Sequence, residues 1–412
     1  HNLIKTLHIM KRIHLLVLAT IVVVLGACSK SPATNPFKAI ELTKAQHEMA
    51  QASWDFSFDL IRALSEQDKD NNISVSPFSL QTALSMASVG ADGETRSEIN
   101  RAIGLEDFSS ADVCAFYETI LPGLLGADNS TSISIANSVW AKPDAGMKSD
   151  YSKLLQDSFK ASVHTLGSNA PSDISAWVNE ATRGMIPDMR ADVKDAEMVL
   201  VNALYFKGIW SSQFKTEDNT EDTFTNYDGT QTRTTFMNKK TYMRLRYGEV
   251  ASSVTLPYGN NAYNMTIVIP TDENSDIDDV LALLDEDMWN HIVTSTKHTK
   301  VKLQLPKFES SYSRTLVPTL KALGIEKAFT GSAEFPFMSD LGLALTDVLQ
   351  QTAIKVDEKG SEAATSTQAY AGKTSAGPGP EAFNFIVDGP FFYAISESST
   401  GVIVFAGVQR KM

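Results

Sequence analysis

The chain has 412 residues, 43% of them apolar and 21% charged, an ordinary globular composition with material for a large core. Its 36 basic and 49 acidic side chains leave a formal net charge of −13. That balance argues against nucleic acid as a partner and against charge-driven binding to an anionic membrane. In chain order, "MKRIHLLVLATIVVVLGACSK" opens at Met10 with a basic pair, an apolar stretch from Leu15 to Leu25, and small residues before Cys28. The apolar stretch is too short to span a bilayer and the small residues suit cleavage, so 1–27 reads as a signal peptide with upstream residues. Residues 28–42 read as a polar tether. From Thr43 to Leu64 apolar residues recur at helical spacing, and "NISVSPFSLQTALSMASVGADGET" reads as a short strand and then a helix. "STSISIANSVWA" alternates like a strand, whereas "YSKLLQDSFKASV" and "DISAWVNEATRGMI" are helical. "EMVLVNALYFKGIW" is apolar on both faces and predicts a central strand. Strand-rich sequence follows to Pro270, then a helix over "DIDDVLALLDEDMWNHIV", a strand over "TKVKLQLPKFESSYS" and a helix at "TLVPTLKALGIEKAF". Mixed helices and strands without repeats or a long linker predict an α+β fold in one domain over 43–412.

Motifs for catalysis are scarce. The chain has no HExxH, CxxC or GxSxG. Gly372-Lys373-Thr374 would need a glycine five residues earlier to make a phosphate loop, and Thr367 stands there. The acidic runs "DENSDIDD" and "DEDMWNH" lack calcium-loop spacing and read as helix ends. No enzyme, metal site or cofactor is expected. Of the two cysteines, Cys114 sits in a helical pattern and reads as a small buried hydrophobe. Leu25-Gly26-Ala27-Cys28 resembles the lipobox of bacterial lipoproteins, which implies a lipid on Cys28.

The tract "DEKGSEAATSTQAYAGKTSAGPGP", Asp357–Pro380, has few bulky side chains. Taken in steps of two, Ser361, Ala363, Thr365, Thr367, Ala369 and Ala371 share one side of an extended chain, and all are small. Two readings stand. One is a flexible Ala/Ser/Thr linker; the other is a segment able to exist both as an exposed loop and as an inserted strand. Gly377-Pro378-Gly379-Pro380 resists helix and sheet and reads as a spacer.

The surroundings of this tract resemble the serpin family. "NISVSPFSLQTALSMASVGADGETRSEI", "VLVNALYFKGIW", "LQLPKFESSYS", "IKVDEKGSEAA" and "FNFIVDGPFF…GVIVFAGV" follow in family order over about Ala45 to Val408. The resemblance implies one α+β domain of three β-sheets and about nine helices, with an exposed reactive-centre loop over about 358–381. It implies a suicide-substrate inhibitor of serine endopeptidases, with cysteine endopeptidases as a second target class; the alternative is a non-inhibitory binding or carrier protein. It assigns Glu358, Gly360, Ser361, Glu362, Ala363 and Ala364 to the hinge where the loop enters the central sheet. Trp210, Lys307 and Glu358 match a cluster at the top of that sheet, with Lys307 and Glu358 as an ion pair. Ser76, Ser79 and Asn202 match a polar cluster under its middle, where Gln350 stands in place of the family's usual histidine. The reactive bond is expected within Lys373-Thr374-Ser375. Counting back from "FNFIVDGPFF" lands nearer Ala376, and Tyr370 is a further candidate. Lys373 would suit a trypsin-like pocket, Thr374 or Ala376 an elastase-like one. The expected protein is a monomer held to a bacterial envelope by its lipid, at the outer membrane, on the periplasmic or surface side.

Overall fold

The run Met198–Ile209 forms β4, a strand whose side chains are buried on both faces, as its unbroken apolar sequence requires. It lies inside a six-stranded sheet. The order is β10 (Phe308–Thr315), β11 (Leu345–Val356), β12 (Gly360–Ser361), β4, β2 (Ser132–Ala141) and β3 (Ser162–Thr165). The computed structural model describes residues 35–189, 191–272, 274–295, 297–361 and 381–412. Residues from Asn35 to Met412 form one compact unit.

Helices cover both faces of this sheet. Thr43 caps α1 (Lys44–Gln67) through a capping box with Gln46. Ser76 caps α2 (Pro77–Gly90), and Pro77 supplies a preset φ in its first turn. Every residue of α2 is buried, consistent with its apolar and small side chains all round. It lies behind the sheet, between β4 and the strand β15 (Ile403–Gln409). Next come α3 (Gly93–Ala102), α4 (Ser110–Gly126) and α5 (Ser149–Phe159). In front, α6 (Ala170–Ala181) sets Ile174 and Val178 against Trp140, Val199, Val201 and Leu349 of the sheet. The acidic runs at 272–279 and 285–291 cap α7 (Ile277–Leu283) and α8 (Glu286–Thr294). There the Asp276 and Asp285 carboxylates accept from first-turn N–H groups. With α9 (Val317–Ala322), the described residues hold nine α-helices.

The other sheet has nine strands. Its path runs β1 (Ile73–Val75), β15, β14 (Phe391–Glu397), β8 (Tyr263–Pro270), β7 (Ala251–Tyr258), β6 (Gln231–Arg246), β9 (His298–Pro306) and β13 (Phe383–Ile386). β5 (Thr220–Thr225) pairs with β6 off this path. The α+β class and the helix number match the sequence reading. The expected second and third sheets, however, are one continuous hydrogen-bonded ladder. The 16-residue β6 pairs with β5, then β9, then β7 along its length and so joins them.

Candidate functional site

The site lies along the line between β4 and β11. From Leu345 beside Met198 to Ala353 beside Tyr205, these strands pair directly and in parallel. Above that point they part, and the two residues of β12 stand between them. Ser361 pairs with Val356 on one side and with Gly208 on the other. The sheet is therefore closed through its middle and already opened by one short wedge at its top. The exposed loop expected from about 358 starts later than the sequence suggests. Glu358 is half-buried, and Gly360 and Ser361 are buried as strand. A strand of two residues has no sequence signature of its own, because its partners are remote in the chain.

The turn into β12 is built residue by residue. The Asp357 carboxylate accepts from the Lys359 and Gly360 N–H groups at 2.8 and 3.3 Å, and Asp357 N donates to Gly360 O at 2.8 Å. Gly360 has φ of +147°, and a Cβ there would sit 2.0 Å from Gly208 O, so this position requires glycine. Three successive turn carbonyls are held by the segment after β4. Trp210 Nε1 donates to Asp357 O at 2.9 Å, Phe214 N to Glu358 O at 2.9 Å, and Trp210 N to Lys359 O at 2.8 Å. Trp210 stacks on Tyr258 at 4.3 Å and meets Phe214 edge-on at 6.2 Å.

The Glu358 carboxylate accepts from Lys307 Nζ and from Asn219 Nδ2, each at 2.5 Å. Burial pushes this carboxyl upward. The hydrogen bonds from Lys307 and Asn219, with the Lys307 charge, outweigh it and hold the group below the usual glutamate range. Behind the wedge, the buried Tyr258 hydroxyl lies 2.8 Å from Ser361 Oγ. Burial drives the Tyr258 pKa up, so the group stays a neutral donor or acceptor. Lys239 completes the surroundings: it donates to Ser212 O and lies 5.1 Å over the Phe214 ring. Burial lowers its pKa to about 8.

The second cluster sits under the closed middle. Gln350 on β11 and Asn202 on β4 are register partners. Gln350 Nε2 donates to Asn202 Oδ1 at 2.5 Å, linking the two strands through their side chains. The same amide grips the N-cap of α2: Ser76 N donates to Gln350 Oε1 at 3.0 Å, and Gln350 Nε2 donates to Ser76 O at 3.0 Å. Asn202 Nδ2 donates to Ser79 Oγ and, at 2.6 Å, to Asn137 Oδ1 of β2. Ser76 Oγ accepts from Ser79 N at 3.2 Å and donates to Val404 O at 2.7 Å. All five side chains are buried, and none of them titrates. Gln350 thus makes bonds along both edges of its amide, which only a side chain carrying both donor and acceptor can do.

The structure therefore brings Trp210, Lys307 and Glu358 together at the sheet top, and Ser76, Ser79, Asn202 and Gln350 under its middle. Gly360 and Ser361 lie at the point of entry. Cys28, Glu362, Ala363, Ala364, Lys373, Thr374 and Ser375 fall outside the described residues. Sequence reasoning missed Tyr258, Asn219, Lys239 and Asn137. Only Asn137 carried a signal, since it follows Ile133 and Ile135 on the inward side of an alternating strand. Among the described residues, no three His, Cys, Asp or Glu side chains are grouped to hold a metal ion. Nor is any helix there long and apolar enough to cross a membrane.

Known proteins share this arrangement of sequence and fold. A family model described as Serpin (serine protease inhibitor) matches residues 51–411. Iripin-8 of Ixodes ricinus is 29% identical over 395 residues, covering 90% of this chain and 97% of its own length. Ipis-1 of Ixodes persulcatus is 30% identical over 375 residues, covering 87% and 97%. Among solved structures, the thermophilic serpin tengpin in its native state superposes with a TM-score of 0.81 at 29% identity, covering 92% of this chain and 97% of its own. Human thyroxine-binding globulin, complexed with thyroxine, superposes with a TM-score of 0.80 at 22% identity, covering 89% and 100%, a likeness of fold alone. A match over most of the chain, joined to a sheet wedged open at its top, identifies the protein as a member of the serpin family.

Proposed function

We propose that this serpin inhibits serine endopeptidases as a suicide substrate, with some reach to cysteine endopeptidases. The protease serine adds to the carbonyl of a residue within Lys373-Thr374-Ser375. The peptide C–N bond breaks, the new amine leaves with a proton from the protease histidine, and an ester joins protease to inhibitor. The freed N-terminal part of the loop then extends β12 between β4 and β11, carrying the acylated protease with it before water can cleave the ester.

The observation that carries this reading is Ser361, fully buried between the parted strands, with β4 and β11 still paired below it. Ser361 faces the Tyr258 side of the sheet. A strand continuing from it would set positions 363, 365, 367, 369 and 371 on that same buried side. The sequence supplies Ala, Thr, Thr, Ala and Ala there, each small enough to enter a packed layer. The alternative, a binding or carrier serpin, places no such demand on these positions.

Lys373 suits a trypsin-like pocket, and Thr374 or Ala376 an elastase-like one. The protein acts as a monomer with no cofactor and no nucleic acid. It is held to a bacterial envelope by a lipid on Cys28 after loss of residues 1–27. Incubation with trypsin, elastase and papain, followed by denaturing electrophoresis, tests the reading. Adducts of the protease with the N-terminal part of the chain that survive denaturation are expected, together with a released C-terminal fragment starting within 370–377. Cleavage without any adduct would favour the carrier reading, and cuts only outside that window would remove the assigned bond.

A further inference from the structure

One imidazole at the edge of the six-stranded sheet is stacked among indole rings. On β3, the edge strand, His164 is the register partner of Trp140 on β2. Its ring stacks on Trp140 with centroids 4.4 Å apart and planes 18° from parallel. Trp177 of α6 meets the same imidazole edge-on at 6.2 Å, and His164 Nε2 lies 2.7 Å from Ser162 Oγ. The three rings therefore join α6 to the β2–β3 end of the sheet. The helix also lies over the line between β4 and β11. One apolar cluster joins its Ile174 and Val178 to Val199 and Val201 of β4 and to Leu349 of β11. A strand entering between β4 and β11 spreads that cluster, so α6 has to loosen before the strand can pass. Charge does not hold the rings together. β2 carries no charged residue, and β3 none besides His164. α6 carries Asp173 and Glu180. α5 carries Asp150, the paired Lys153 and Asp157, and Tyr151, whose hydroxyl donates to Met86 O. None of these moves the titration of His164; burial alone acts on it and lowers its pKa.

We propose that His164 is a proton-sensitive latch on α6: neutral, it fastens the helix to the sheet edge through Trp140 and Trp177, and protonated, it releases the helix. That the latch times strand entry rests on the inhibitor reading; the latch itself does not. A neutral imidazole is a flat aromatic ring that stacks with little polar surface left dry. An imidazolium in the same place gives up hydration of its charge, and that loss outweighs its attraction to the Trp140 face. The sign follows from the lowered pKa. The packing is at full strength above the free histidine value of about 6.5 and weakens as pH falls from there through the lower folded value. Acidification over that window loosens α6 and speeds strand entry; neutral pH keeps the sheet covered.

The test uses the full chain and hydrogen exchange of the α6 amides, 174–181, at about pH 5.5 and 7.5, corrected for the intrinsic pH dependence of exchange. In wild type the opening of α6 should rise at least about fivefold at the lower pH, the lower end of ordinary coupling between sites. His164→Phe keeps a stacked ring that cannot titrate, so its α6 should open equally at both pH values and as little as wild type at pH 7.5. Trp177→Leu removes the helix side of the latch, so its α6 should open readily at both. Opening that does not change with pH in wild type, or the same pH response in His164→Phe, overturns the proposal. Active trypsin run in parallel separates the latch from the inhibitor reading. The ratio of adduct formation by wild type to that by His164→Phe cancels the protease's own pH dependence, and it should rise by about the same factor at the lower pH. A constant ratio overturns the timing of strand entry. Exchange that responds to pH as expected, without any denaturation-resistant adduct, keeps the latch and sinks the inhibitor reading.

Discussion

Gln350→Met is a small change in volume with a large expected effect. Methionine fills most of the space, but it neither donates nor accepts as the amide does. Ser76 N then loses its acceptor, and Asn202 Oδ1 loses its donor. Ser76 O keeps the bond from Leu80 N at 3.0 Å. Two buried polar groups are thus left unpaired, at roughly 1–3 kcal/mol each. A folded unit of about 380 residues has an unfolding entropy near 0.8 kcal/mol per degree, so the loss corresponds to about 3–7 °C in melting temperature. The same substitution removes the side-chain hydrogen bond from Gln350 to Asn202 that links β11 to β4, so strand parting should also become faster. Thermal unfolding of the intact chain at neutral pH, followed by circular dichroism, measures the first effect. A variant melting within about 1 °C of wild type would refute the claim that this amide ties α2 and the two strands together.

The wedge makes three further predictions. Ser361→Arg puts a charge where Ser361 is fully buried against Tyr258, so the variant should be cut within 370–377 as a substrate; a retained covalent adduct on denaturing gels would contradict the insertion account. Gly360→Ala meets Gly208 O and a φ that L-residues avoid, costing about 1–3 kcal/mol, read as a melting temperature lower by a few degrees. Glu358 has its pKa lowered by Lys307 and Asn219 against the opposing effect of burial. Its contribution is therefore present above the unfolded glutamate value of about 4.3 and is lost as pH falls through the lower folded value. Melting temperatures measured from pH 6 to pH 3 should fall less steeply in Glu358→Gln than in wild type; parallel curves would rule out this pair as a source of acid sensitivity.

Much of this was legible locally. An unbroken apolar run placed β4 inside a sheet, and Ser-Pro ahead of a helical pattern placed the N-cap of α2. Asn202 and Gln350 were noticed as polar residues by resemblance, and the structure explains their position: they are register partners on neighbouring strands. What stayed hidden depends on remote contacts. Tyr258 sits in β7 of the other sheet and reaches Ser361 across more than a hundred residues of chain. The continuity of the nine-stranded sheet depends on which partner β6 takes along its length, and its own sequence does not state that choice.

The proposed inhibition depends most on the difference in stability between two arrangements of one sheet. Cleave the wild-type chain once within 370–377, keep both fragments together, and compare its melting temperature with that of the intact chain. A new strand of about ten residues, with roughly 1 kcal/mol per backbone hydrogen bond, predicts a rise of about 10 °C or more. A cleaved chain that melts at or below the temperature of the intact one would contradict it.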